Sequence, residues 1–405
     1  LVMADGGVLG KLEPTTSHPW EDDLVKVLNL AGVAPSTVFS HVPLANALRG
    51  AGHQVMTTAS VDEMVDTIAG VGLSAVRTTA PGVTPRQVIA ESGLTHVPED
   101  PREREIMAGR WYAHMEYVTL DALLAFSKDW RPDVIISGVT SYSGPLLAAH
   151  LGVPYVRHAW DIHTPRLMDQ GAEDQLREQL EELGLDGLPE PAMTIEIAPP
   201  SLLPEDLEGG QPMRWIPGNS QSVLEPWMYT KGAGTRIGVT IGTGVANYNQ
   251  YDFLQAVVEQ IATLDAEVVV AVTEDAASEM RERLKNVRAG WVPLDVVAPT
   301  CDVLVHQTGG STMMTGLSFG VPQVLLPDPN LFRANAMARR LADTGAAVVL
   351  SPEEATSEVI AKTCGELVAD PSFKTAADGL AREIAALPSP NEVAQRIEQL
   401  VREAA

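Results

Sequence analysis

From Leu24 onward, short apolar runs alternate with longer stretches whose apolar residues recur every three or four positions. That alternation predicts β-strands of a parallel sheet joined by amphipathic helices. VKVLNL (25–30) reads as a first strand, VPLANALRGAG (42–52) as a helix closed by a glycine, and HQVMTTA as the next strand. DVIISG (133–138), a helix through GPLLAAHLG and a strand at PYVRHA repeat the unit. Together they predict one doubly wound α/β domain.

Between about Pro191 and Gly234 the alternation lapses into PP, LP, EGGQP, PGNS and KGAG segments, the composition of a linker. It restarts with strand candidates TRIGVTIG (235–242), EVVVAVT (267–273), DVLVH (302–306) and PQVLLP (322–327). Helical patterns fall at 251–264, 275–285 and 333–344, which predicts a second doubly wound domain. The tail carries helical patterns at 352–369, 371–387 and 391–403 and no further strand. The division expected is 24–217, a linker at 218–234, 235–388, and a last helix in 389–405 that packs back on the first domain. Residues 1–23 are Gly/Pro/Ser-punctuated and acidic without a sustained period, and read as an extension or a cloning remnant. Two open parallel sheets facing each other would bind ligands at the carboxyl ends of their strands.

Composition narrows the partners. The chain has 405 residues, 45% hydrophobic and 20% charged, with a formal net charge of -25. Its length favours two cores over one. The negative charge repels phosphate backbones and anionic lipid, which argues against nucleic-acid and membrane-surface partners. Cys301 and Cys364 offer neither a disulfide framework nor a metal spacing. With no apolar run long enough to span a bilayer, a cytoplasmic location is the expectation.

The stretch VLVHQTGGSTMMTGLSFGVPQVLLP (303–327) passes from a strand through His306 and a glycine pair into a helical run. Free N-H groups in the first turn of that helix, with Gly309 and Gly310 permitting close approach, form an anion site. Ser311, Thr312 and His306 add donors. A plain strand-turn-helix connection whose glycines serve packing fits the same spacing.

The longer segment from Trp291 to Ala347 resembles the donor-binding motif of inverting GT-B glycosyltransferases, which often reads F-V-P, C-D, H-H-G-G-x-G-T and G-V-P. That resemblance implies two Rossmann-like domains facing across a cleft, the C-terminal one holding a nucleotide-sugar and the N-terminal one an acceptor. Trp291 would stack on the base and Val292 would contact its edge through backbone groups. His306, Gly309, Gly310, Ser311 and Thr312 would hold the diphosphate, and Thr243 would face it. A buried structural role is the alternative for Trp291. Where many relatives carry Asp-Gln for sugar hydroxyls, this chain has Leu331 and Phe332, which suits a deoxysugar. Gln307-Thr308 replaces the usual His-Gly.

On the acceptor side, the position where alcohol-glycosylating relatives place a basic histidine is Thr37 here. His41, near the first helical turn, reads better as a core or surface residue. APSTVF, VRHAWD, PPSL, LEPWMYT and PLDVVAPTCD look most like the olivosyltransferases of angucycline antibiotic biosynthesis, those of the urdamycin and landomycin pathways. Their W-D aspartate, which acts at the acceptor, matches Asp161; an N-cap or salt bridge is its structural alternative. A phenol, with a pKa near ~10, yields its proton to a carboxylate more readily than an aliphatic alcohol does, and its ortho carbon is also nucleophilic. Ser36 and Thr37 remain as first-loop hydroxyls. Trp111 and Tyr112 are candidates to stack on an aromatic acceptor, although Trp111, Met115 and Val118 form a stripe of the kind usually found in cores. The polar loop 80–105 has the character of a variable binding loop.

No D-x-D triplet occurs, and neither metal nor cofactor is expected. The function expected is transfer of a D-olivose-type deoxysugar from a TDP-sugar to an angucycline-like aromatic polyketide, with inversion, as a C- or O-glycoside. A silent GT-B homologue and a GT-B-fold sugar-nucleotide epimerase are the alternatives. Homodimerisation is left open.

Overall fold

The computed structural model describes residues 24–404 apart from 95, 163–165, 206, 208, 221, 241–247, 273, 285 and 328–332. Among the described residues, thirteen strands fall into two sheets. The first comprises β1 (Lys26–Leu30), β2 (Gln54–Ala59), β3 (Ser74–Arg77), β4 (Val134–Gly138), β5 (Tyr155–His158), β6 (Met193–Glu196) and β7 (Gln211–Pro212) in the order β3-β2-β1-β4-β5-β6-β7. The second comprises β8 (Thr235–Thr240), β9 (Ala266–Ala271), β10 (Val287–Gly290), β11 (Val303–His306), β12 (Gln323–Leu325) and β13 (Ala347–Val349), ordered β10-β9-β8-β11-β12-β13. Every pairing is parallel. Central strands such as β4 and β11 are buried along their whole length, as sheets covered by helices on both faces require.

In each sheet the strand order reverses once, between β1 and β4 and between β8 and β11. Crossover helices leave in opposite directions there and open a crevice at the strand ends. The loops after β1, β4 and β11 therefore form natural ligand edges.

Two sequence expectations need correction. Pro43 favours a helical first turn, which put the first helix at 42–52; the helix runs Pro35–Gly50, with Pro35 in its first turn and Pro43 inside it. The lapse after Pro191 contains β6 and β7, two short strands without an extended apolar run. β3 is likewise short and largely exposed, so it carries no interior pattern.

The halves share one continuous core. Val27, Leu44 and Trp160 from the first half cluster with Met313, Leu325 and Met337 from the second. Polar contacts border that joint: Arg340 donates to the Ile162 and Leu202 carbonyls at 3.0 and 3.2 Å, and the Arg214 amide donates to the Pro388 carbonyl at 2.7 Å. The final helix, Pro390–Ala404, lies on the first half, where its Glu398 meets His53 at 2.9 Å.

A buried carboxyl positions one wall of the cleft. Glu116, near the end of the Pro101–Tyr117 helix, accepts from Ser143 Oγ at 2.7 Å at the start of the helix that follows β4. Burial raises its pKa from the ordinary 4.5 to about 7, against a smaller lowering by Ser143. The folded chain therefore holds this proton more tightly than the unfolded one, so the associated stability is fullest below pH 4.5 and is lost as pH rises through 7. Relative to wild type, Glu116→Gln should gain roughly 3 kcal/mol between about pH 5 and 8. Urea unfolding at both pH values checks this; a pH-independent difference would mean the carboxyl is ionised in the fold.

Candidate active site

The turn after β11 is set by side chains beneath it. Thr308 adopts φ 60°, a left-handed conformation costly for a residue with a Cβ. His306 Nδ1 accepts the Thr308 amide proton at 3.1 Å, which stabilises that conformation. With Nδ1 an acceptor, the ring proton lies on Nε2, where it is donated to Gln323 Oε1 at 2.7 Å. Gln323 Nε2 in turn donates to the Met313 carbonyl at 3.2 Å, and its amide fills the place a Gly316 side chain would take. One connected line thus fixes β11, β12 and the Gly310–Ser318 helix.

This corrects the expectation for His306. The ring is 1% exposed, both nitrogens are engaged inside the second half, and burial lowers its pKa to about 4, although the Gln323 bond acts the other way. It is neutral at physiological pH and shapes the turn instead of donating to a phosphate. The turn itself remains accessible: Gly309 is exposed, has extended N-cap geometry and carries no side-chain cap. The first helical bond runs from the Met313 amide to the Gly309 carbonyl at 2.9 Å, which leaves the amides of Gly310, Ser311 and Thr312 without an in-helix acceptor.

Asp161 faces that helix end from across the cleft. It follows β5 and Trp160, is 2% exposed, and packs so closely on Gly310 that an added Cβ would collide with its carboxylate. Arg333, just before the Ala334–Ala342 helix, reaches from the second half and places Nη1 2.5 Å from Asp161 Oδ2. Burial opposes the arginine charge, but Asp161 and then Tyr112 hold its pKa above the ordinary value. The salt-bridge alternative for Asp161 is therefore realised, and it lies inside the cleft. The guanidinium sits 5.9 Å from the Trp160 ring centre, and Tyr112 meets the same indole edge-on at 6.2 Å. A second crossing lies nearby, where Ser311 Oγ donates to the Ser36 carbonyl at 3.1 Å.

The remaining candidates separate. Thr37 is buried and donates to the Ala34 carbonyl at 2.7 Å, whereas the Ser36 side is exposed. Trp111 donates to the Leu94 carbonyl at 2.7 Å and so braces the 80–105 loop; Tyr112 alone of the pair reaches Trp160. Trp291 is 46% exposed after β10 and Val292 is buried behind it, which excludes the buried alternative for Trp291. Thr312 is half-buried in the helix's first turn. Thr243, Leu331 and Phe332 lie outside the described residues. His41 belongs to the core beyond the first turn, stacked 4.4 Å from His158, with Nδ1 2.6 Å from Asn29 Oδ1. Burial and then His158 keep its pKa well below the ordinary value.

Beside Tyr112, a small apolar hollow of about 10 Å³ lies among Val33, Val61, Val83, Val88, Met115 and Val118. That is about the room of one water and far below the roughly 300–1,000 Å³ of pockets that enclose drug-sized ligands, so it holds no ligand as it stands. The Met115 and Val118 stripe thus lines a cavity at one end. Arg333 and Trp160 were not singled out from sequence. An arginine's partner is set by tertiary approach, and its nearness to Leu331-Phe332 was the only available hint. Among the described residues no cluster of three or more His, Cys, Asp or Glu could hold a metal ion, and no helix is long and apolar enough to cross a membrane.

The family described as Erythromycin biosynthesis protein CIII-like matches through its N-terminal domain over residues 46–242 and its C-terminal domain over residues 255–400. L-demethylnoviosyl transferase of Streptomyces niveus is 31% identical over 361 residues, covering 88% of this chain and 93% of that protein. Aclacinomycin-T 2-deoxy-L-fucose transferase of Streptomyces galilaeus is 29% identical, covering 94% and 97%. Among solved structures, Streptomyces sp. SF2575 glycosyltransferase SsfS6, complexed with thymidine diphosphate, superposes with a TM-score of 0.81 at 32% identity, covering 93% of this chain and 99% of that one.

The approach of Asp161 to Gly310 makes a local prediction. Gly310→Ala should destabilise the fold by about 1–3 kcal/mol through overpacking, and most of that loss should disappear in an Asp161→Ala background. Thermal unfolding of the four-member cycle measures the coupling; additive effects would place the carboxylate away from the helix.

Proposed function

Since the chain belongs to the Erythromycin biosynthesis protein CIII-like family of glycosyltransferases, with the two-domain GT-B fold, we propose that it transfers a deoxysugar from a TDP-sugar to an aromatic polyketide. The observation that carries this reading is the contact of Asp161 with Gly310, which sets a carboxylate against an anion-binding helix end. Thymidine diphosphate bound to the SF2575 enzyme supports the choice of nucleotide, and the name of the aclacinomycin-T transferase supports a deoxysugar. Leu331 and Phe332, where relatives have hydroxyl-binding residues, favour a hydroxyl-poor sugar of the D-olivose type. The resemblance to angucycline olivosyltransferases favours an angucycline-like acceptor.

In this reading Trp291 stacks on the thymine and Val292 contacts its edge through the backbone. The amides of Gly309, Gly310, Ser311 and Thr312 and the hydroxyls of Ser311 and Thr312, together with Thr243, hold the diphosphate. As the anomeric bond breaks, charge developing on the leaving diphosphate is stabilised by the helix end. His306 keeps the turn in shape. The acceptor lies against Tyr112 and within reach of Ser36, and Asp161 takes its phenolic proton. Attack from the face opposite the diphosphate inverts the anomeric centre in one step. Whether oxygen or the ortho carbon attacks depends on which atom is held in line.

Purified protein with a TDP-deoxysugar and a tetracyclic phenol should give a mass increase of one deoxysugar; acid treatment distinguishes a stable C-glycoside from a labile O-glycoside. Donor binding without product would favour a silent homologue, and acceptor-independent donor conversion an epimerase. Asp161→Asn should lower turnover by about 10²-fold or more while nucleotide binding persists; unchanged turnover would remove Asp161 from the mechanism.

A further inference from the structure

Arg333 has no assigned part in the reaction, yet it occupies the junction of both half-sites. It rises from the second half, where the diphosphate site lies, and spends its charge on Asp161 of the first half at 2.5 Å. The Asp161 carboxylate in turn packs on the first residue of the Gly310–Ser318 helix. An anion held between a helix N-terminus and a guanidinium is in the chemical setting that binds phosphate. The same turn carries a further polar group without a partner: Thr308 Oγ1, on a residue 2% exposed, makes no hydrogen bond.

Space at Gly310 is already filled by the carboxylate, and two anions there would repel. A donor diphosphate at the helix end is therefore disfavoured while Asp161 stays. Asp161 in turn has one oxygen committed to Arg333, an engagement that competes with an acceptor phenol.

Building on the donor reading above, we propose that Arg333 is a diphosphate-binding residue whose place is taken by Asp161 in the free protein. Arrival of the donor transfers the guanidinium from carboxylate to diphosphate and releases Asp161 toward the acceptor. Donor binding and readiness of the base are thereby coupled, and the donor binds ahead of productive acceptor engagement.

The test is calorimetric titration of TDP alone into wild type, Asp161→Asn, the double variant Asp161→Asn/Arg333→Gln, and Asp161→Asn/Arg333→Lys. The double variants leave no buried carboxylate orphaned, and circular dichroism verifies their fold. Asp161→Asn should bind TDP at least ~5-fold more tightly than wild type, because the competing anion is gone. Asp161→Asn/Arg333→Gln should fall ~10-fold or more below Asp161→Asn, and the lysine variant should recover part of the loss, having the charge but not the two-pronged geometry. Equal or weaker binding by Asp161→Asn than by wild type, or equal binding by Asp161→Asn and Asp161→Asn/Arg333→Gln, overturns the proposal. Wild type that fails to bind TDP at all overturns the donor-site reading itself, a separate outcome.

Discussion

The cleft is organised around a carboxylate that has lost its water. Asp161 is buried at the meeting of two sheets, and a charge in that position is tolerable only with a partner supplied from nearby. Arg333 supplies it from the opposite half. Loss of either member of such a pair typically costs roughly 3–5 kcal/mol, so the pair helps hold the halves in register. Trp160 packs beside the Arg333 guanidinium and Tyr112 beside Trp160, and Gly310 is the residue that lets the carboxylate approach the helix end.

The turn after β11 depends on a different device. A short loop must leave β11, point its first helical amides into the cleft and keep them there without a capping side chain. A threonine in left-handed geometry makes the corner, and His306 stabilises it from below, with Gln323 fixing the tautomer. Histidine suits this place because one ring accepts an amide proton and donates to a side chain at once. Its burial keeps it uncharged, so the positive potential offered to an anion comes from the helix and from Arg333.

The two-domain α/β architecture was legible because parallel strands covered on both faces leave unbroken apolar runs, as in DVIISG and DVLVH. Short edge strands such as β3 and β7 leave no such record, since water satisfies one side of them. The turn at Gly309 was legible from its glycines and its place after a strand, whereas the half-exposure of Trp291 was not fixed by its sequence. The partners of His306 and Asp161 were not. A histidine looks the same in sequence whether its ring faces the cleft or the core, and the pairing of Asp161 with Arg333 joins residues 172 positions apart. Trp111 and Tyr112, adjacent on one helix, went separate ways for the plain reason that neighbouring helical residues point about 100° apart.

A crystal structure of the protein with TDP bound measures the central claim most directly. The result predicted is the diphosphate at the amides of Gly310 and Ser311, with the Arg333 guanidinium on a phosphate oxygen and the Asp161 carboxylate withdrawn from Gly310. Nucleotide bound elsewhere, or bound at the helix with the Asp161 to Arg333 pair intact, would contradict it.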